Sequence, residues 1–189
     1  MLYTGKGDGG TTKVFGCDQQ RISKSSELPE ALGSLDELNS FIGLAKVRAR
    51  QVQDSGVTIA GKEFHTSEIL RDVQETLFIV QAEVAGAEKR VEESKVKWVE
   101  EVVNTIEKEI PPITAFSIAG GTELSALLDV ARTLSRRAER RLVAVQELGL
   151  RDLSEHTRAY ANRLSSLLFA LARLTNHKSG IKEEAPSYR

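Results

Sequence analysis

Ala131-Arg132-Thr133-Leu134-Ser135-Arg136-Arg137-Ala138-Glu139-Arg140-Arg141 decides how this chain folds. Five arginines crowd a segment whose apolar residues keep helical spacing. At roughly 100° per residue, Arg132, Arg136 and Arg140 make one ridge, with Glu139 and Asp129 beside it. Leu124, Leu127, Leu128, Ala131, Leu134, Ala138, Leu142 and Val145 fall on the opposite arc. The pattern predicts a helix over about Thr122 to Gln146 with an ordinary core face and a basic outer face. Arginine presents a planar fork of donors suited to carboxylates and phosphates. Like charges at i,i+4 repel without a counter-charge, so the ridge is favoured as an anion site over a merely solvated face.

Four more helical patterns flank this one. The first runs from about Leu28 to Gln53, with Leu35, Leu38, Ile42 and Ala45 on one face and Pro29 in the first turn. The second runs from about Ser67 to Glu88 through Leu70, Val73, Leu77, Val80 and Val84. The third, about Ser94 to Glu109, carries Val96, Val99, Val103 and Ile106 and stops at Pro111-Pro112. The last starts at Asp152, whose spacing to Glu155 resembles a capping box, and ends near Asn176. Connections are short except for about Asp54 to Thr66. Short connections favour antiparallel neighbours. The expected fold is all-α: a single domain over 1–189, built as an up-down five-helix bundle (28–176) with an extended N-terminal arm (1–25) and a polar tail (178–189).

The totals exclude several classes. A net charge of −1 argues against bulk nucleic-acid binding. No apolar run is long enough to span a bilayer and no signal stretch opens the chain, so no membrane partner is expected. Cys17 is the only cysteine, which fits a reducing, cytoplasmic setting. His65, His156 and His177 are scattered and none follows a Glu by three residues, so no resident metal site is expected.

The arm reads Thr4-Gly5-Lys6-Gly7-Asp8-Gly9-Gly10-Thr11-Thr12-Lys13. Gly5, Gly7 and Gly10 match G-x-G-x-x-G but lack the strand before and the helix after that a dinucleotide site needs. Glycines still allow close backbone approach to an anion, and Lys6, Lys13, Thr11 and Thr12 add donors. Asp36, Asn39 and Gly43 lie on one side of the first helix; Tyr160, Asn162, Arg163 and Ser165 precede the leucine run of the fifth. Phe116-Ser117-Ile118-Ala119-Gly120-Gly121 is an apolar loop ending at a helix N-terminus, suited to a core plug or a pocket wall.

Taken in order, these segments resemble the PduO-type ATP:cob(I)alamin adenosyltransferases. Thr4, Gly7, Asp8, Gly10 and Thr12 are similar to that family's T-x-x-G-D-x-G-x-T opening. Ala31 to Ser40 resembles A-x-G-x-x-D-E-L-N-S, and Phe116 to Gly121 resembles F-x-x-P-G-G. Ala131 to Arg140 matches A-R-T-x-x-R-R-A-E-R, and Tyr160 to Phe169 is close to Y-x-N-R-L-S-D-x-L-F. The chain departs in three places: Ser166 stands for the usual Asp, Ala119 for the Pro, and Gly5-Lys6 for a Lys at the first of these positions.

The resemblance implies a ferritin-like bundle assembled as a homotrimer with active sites between subunits. It implies transfer of the 5′-deoxyadenosyl group of ATP to the cobalt of cob(I)alamin, with magnesium sharing the phosphate charge and a reductase supplying the electron. Thr4, Gly5, Lys6, Gly7, Thr12, Lys13 and Lys24 would wrap the triphosphate. Arg136, Arg137 and Arg140 would bind phosphate or nucleoside, oriented by Glu139, and Asn162 would contact the nucleotide. Arg132 would pair with Asp36 across the interface, and Phe116 would sit under the corrin. Arg136, Glu139 and Phe116 are thus the expected catalytic residues. The alternative is a non-catalytic ATP-binding bundle, a sensor or regulator, which needs the arm and arginines but not Phe116.

Overall fold

The computed structural model describes residues 2–15, 20–52 and 56–188. Cys17 lies outside the described residues, as do Gln53 and Asp54, where the first helix was expected to end and the long connection to begin. Five helices form the body: α1 (Glu27–Gln51), α2 (Thr66–Ala85), α3 (Glu93–Glu109), α4 (Glu123–Glu147) and α5 (Glu155–Lys178). The expected bundle is present, with boundaries displaced by at most three residues.

Cross-helix bonds fix the directions. Arg48 meets Glu123 at one end of the α1–α4 pair, and Arg141 meets Glu30 and Glu27 at the other, so these helices are antiparallel. Bonds from Asn162 to Glu139 and from Arg173 to Asp129 make α4 and α5 antiparallel too. Arg163 with Glu100 and Lys178 with Glu109 run α3 alongside α5 in the same sense. The chain therefore goes up and down in sequence order, with α1 and α4 central, α2 against α1, and α3 against α5. Leu35, Leu38, Ile42, Leu70, Leu77, Leu128, Leu142 and Leu164 to Leu174 carry the core. Each side chain removed from water there contributes about 1.5–3 kcal/mol before the cost of ordering it.

Three local features differ from the sequence reading. The long connection holds a hairpin, β3 (Val57–Ile59) with β4 (Lys62–Phe64), turning through Ala60 and Gly61 at positive φ; its Phe64 packs edge-on against Trp98. Within the arm, expected to be extended, β1 (Thr11–Thr12) pairs with β2 (Ile22–Ser23), a pairing the sequence reading did not specify, and Ile22 reaches the core. Finally, α5 is capped by Ser154, not Asp152: Ser154 Oγ accepts from Thr157 N at 3.3 Å. Buried Glu83 fixes this choice. Its Oε1 accepts from Ser154 N at 2.5 Å, and Oε2 accepts from the Ser154 and Thr157 hydroxyls.

Candidate active site

The arm's glycines make two tight turns. Gly5 and Gly10 take φ of +67° and +74°, and Asp8 N and Gly10 N donate to Gly5 O and Gly7 O. Gly7 lacks a side chain for another reason: a Cβ there would stand 2.9 Å from Lys24 Nζ. Lys24 is thereby held against the glycine turn, and Lys6, Lys13 and Lys24 are all exposed. Arg21, which sequence reasoning missed, closes the arm. Its Nη2 donates to Lys6 O (2.5 Å) and Thr11 O (2.6 Å), and its Nε donates to Thr11 Oγ1 (2.8 Å). The result is a small pre-folded cup whose turn N–H groups bond within the arm and whose three ammonium groups are exposed, which offers positive charge to an anion.

On α4 the arginines divide. Arg137 bonds Glu37, and Arg141 bonds Glu30 at 3.2 Å, tying α4 to α1. Arg132 Nε donates to Asp129 Oδ1 at 3.2 Å. Arg136 and Arg140 are exposed and have no ion pair among the described residues. Two like charges one turn apart without a counter-ion cost the apo-protein a few tenths of a kcal/mol. That arrangement suits an anionic ligand. Glu139 does not neutralise them; it accepts from Asn162 Nδ2 at 2.8 Å. Asn162 Oδ1 in turn accepts from Arg163, which reaches Glu100. The two predicted nucleotide residues from α4 and α5 are thus joined.

Two expectations are modified. Asp129 was read beside the outer ridge, yet it is buried, turned into the α4–α5 seam by the Arg173 guanidinium. Tyr160, grouped in the sequence with the polar Asn162, Arg163 and Ser165, is fully buried. Burial pushes its phenol pKa upward. Asp36 is exposed on α1, and Arg132 bonds Asp129 within the chain; their expected pairing is one between chains.

The loop after α3 is set by its prolines. Ile110, before Pro111, is extended at ψ 155°, which ends the helix. Phe116 then projects outward, 80% exposed, with Ile113 and Ile118 exposed beside it. Gly120 and Gly121 return the chain at φ +130° and +103°. A Cβ on Gly121 would meet Asn176 Oδ1 at 2.4 Å. Asn176 Nδ2 donates to Gly120 O (2.9 Å), and its Oδ1 accepts from Thr122 N (3.1 Å), at the start of α4. Ala119 is therefore not what closes this loop.

Two clefts meet at the loop. One, of about 310 Å³, has Arg132 and Arg136 on one wall, Ser166 and Phe169 on α5, and Ile110 and Ile113 from the loop. The other, of about 330 Å³, lies between Ile110–Ser117 and the C-terminal segment Ile181–Ala185. They share Ile110 and Ile113, so the cleft beside Arg136 and the cleft beside the Phe116 loop are neighbours. Thr4, Lys6, Gly7, Thr12 and Lys24 make no bond to α4 among the described residues.

Comparison with known proteins gives a consistent result. A family model described as cobalamin adenosyltransferase matches residues 2–175. A corrinoid adenosyltransferase of Bacillus subtilis is 38% identical over 95% of this chain and 89% of its own length. A human corrinoid adenosyltransferase is 32% identical over 97% of this chain and 72% of its own. The chain spans only half the length of another relative, the corrinoid adenosyltransferase PduO of Citrobacter freundii (34% identical over 93% of this chain). Among solved structures, a variant PduO-type ATP:corrinoid adenosyltransferase from Lactobacillus reuteri, complexed with cobalamin and ATP, superposes with a TM-score of 0.83. It is 28% identical, over 99% of this chain and 97% of that one.

Proposed function

This chain belongs to the cobalamin adenosyltransferase family, and from that premise we infer that it transfers the 5′-deoxyadenosyl group of ATP to the cobalt of cob(I)alamin, releasing triphosphate. The observation that carries this reading to the residues is the pair of neighbouring clefts, one lined by Arg136 and the other by the exposed Phe116 loop. One part meets a polyanion; the other offers apolar area to a large flat ligand.

The nucleophile is the reduced metal of the corrinoid substrate, so no general base is required. The bond formed is cobalt to C5′; the bond broken is C5′ to the triphosphate oxygen. What the protein supplies is positioning and leaving-group stabilisation. Arg136 and Arg140 would take up the triphosphate charge that the apo-protein leaves unanswered. Lys6, Lys13 and Lys24, with Thr4, Gly5, Gly7 and Thr12, would hold the phosphates in the arm's cup. Asn162 and Glu139 would orient the nucleoside side. Arg137 has a second job in the chain, its bond to Glu37, so any phosphate contact from it competes with that pair. Among the described residues no group of three His, Cys, Asp or Glu could hold a metal. Magnesium brought with the nucleotide would share its phosphate charge.

Among the described residues Thr4, Lys6, Gly7, Thr12 and Lys24 make no bond to the chain's own arginine helix, which supports a site completed by a neighbouring chain in a homotrimer. Exposed Leu44, Val47 and Phe78 on α1 and α2 offer apolar area for such contacts. There, Arg132 would exchange or share Asp129 with the neighbour's Asp36. A separate reductase would deliver the electron, and the setting would be cytoplasmic; among the described residues no helix is long and apolar enough to cross a membrane.

Phe116→Ala is the test. Adenosylation should fall by tenfold or more while ATP still raises the melting temperature. Full activity in that variant would remove Phe116 from the site. A nucleotide sensor would not require an exposed phenylalanine beside the arginine cleft.

A further inference from the structure

Arg173 on α5 is a buried charge that the chemistry above does not use; its side chain is 3% exposed. The guanidinium faces three ways. Nη2 donates to Asp129 Oδ2 at 2.7 Å. Nη1 donates to Ser117 Oγ at 2.7 Å. Nε stands 2.6 Å from Glu183 Oε1 as an ion contact without hydrogen-bond geometry, and that oxygen accepts from Asn176 Nδ2 at 2.8 Å. Its plane also covers the Phe169 ring at 4.9 Å. Each partner belongs to a different part of the site. Asp129 is on α4, where its other oxygen accepts from Arg132. Ser117 is the residue after Phe116. Glu183 lies in the C-terminal segment, where Glu184 O accepts from Ile118 N at 2.8 Å.

We propose that Arg173 is a positioning residue for the corrinoid half of the site, fixing the Phe116 loop and the C-terminal segment to the arginine helix. The inference rests on the reading of Phe116 given above. Phe116 is almost wholly exposed, so core packing does not aim it. Its direction is set by its neighbours, and Ser117 and Ile118 are bonded to Arg173 and to the C-terminal segment respectively. The cleft of about 330 Å³ has the loop on one side, Ile181–Ala185 on the other, and Arg173 with His177 beneath. A buried charge must be matched by partners of good geometry, since leaving it unpaired costs several kcal/mol. The arginine therefore holds loop, tail and α4 in one relative arrangement. Lysine has one point charge instead of a fork and cannot answer all three.

The test reads the two substrates separately. Ser117→Ala removes the bond of the fork to the loop, and Glu183→Ala removes its ion contact with the tail together with the Asn176 bond to Glu183; both leave Asp129–Arg173 intact. Each is expected to raise KM for cob(I)alamin about tenfold while KM for ATP stays within twofold. Arg173→Lys should do the same more severely; if that variant does not fold, the two alanine variants still decide. Unchanged corrinoid KM in both alanine variants, or an equal rise in both KM values, overturns the proposal. Phe116→Ala run in parallel separates the two claims. If it too is unaffected, the reading of Phe116 has failed; if it alone is impaired, only the role of Arg173 has.

Discussion

Asn162 Nδ2 donates to Glu139 Oε1 at 2.8 Å, joining α5 to α4 beside the unpaired Arg136 and Arg140. The bond engages Glu139, which makes no ion pair with Arg136 or Arg140 among the described residues. Asn162→Ala should release Glu139 to pair with Arg136 or Arg140. We expect KM for ATP to rise about tenfold, with a melting temperature within a few degrees of the parent, since an exposed hydrogen bond contributes about 1 kcal/mol. Unchanged ATP affinity would show that Glu139 does not compete with the nucleotide.

Arg136→Ala should separate stability from function. Removing one of two repelling charges is neutral or stabilises the apo-protein by up to about 0.5 kcal/mol. The stabilisation by ATP should shrink at the same time, by linkage with the weaker binding. A fall in apo-protein stability of more than about 1 kcal/mol would mean that Arg136 has a structural partner.

Gly121→Ala should damage the loop. The substitution meets both a φ of +103° and Asn176 Oδ1 at 2.4 Å. A loss of about 2 kcal/mol is expected by chemical denaturation. Wild-type stability would mean that Asn176 yields freely, and that it does not close the loop.

Much of this was written in the sequence. Leucine and valine spacing marked out five helices because each buries one face in the bundle, and periodicity reports burial directly. The arginine ridge was visible because its charges repeat every fourth residue. Arg173 was invisible by the same logic: it stands within the apolar run from Leu164 to Leu174 of α5, and only its partners on α4, the loop and the tail reveal its role. Arg21 gave no signal because its acceptors Lys6 O and Thr11 O are backbone atoms. The β3–β4 hairpin had an alternating pattern, Val57-Thr58-Ile59, but strands of three residues are too short to stand out. Asp152 at the head of α5 misled because Ser154, two residues later, is the residue that buried Glu83 selects.

Tyr160 yields a pH prediction. Its hydroxyl is buried without a hydrogen bond of good geometry; the adjacent Thr76 hydroxyl donates to Asp72 O at 2.9 Å instead. Burial raises the folded-state pKa above the ordinary value of 10.0. The contribution is then whole below that value and is lost as pH rises beyond it, because the unfolded chain releases a proton that the folded one retains. Stability should fall as pH rises above about 10, and Tyr160→Phe should lessen that fall. At pH 7 the same variant should be neutral or slightly stabilising. An identical alkaline slope in parent and variant would contradict this.

The central claim is the reaction. Under strict exclusion of oxygen, chemically reduced cobalamin, ATP and magnesium are mixed with the protein and followed by absorbance, and the products are separated. The account predicts loss of the cob(I)alamin absorbance with adenosylcobalamin and triphosphate formed in equal amounts. No turnover by a folded protein whose melting temperature rises with ATP would contradict it, and would leave a nucleotide-binding bundle without the transferase activity.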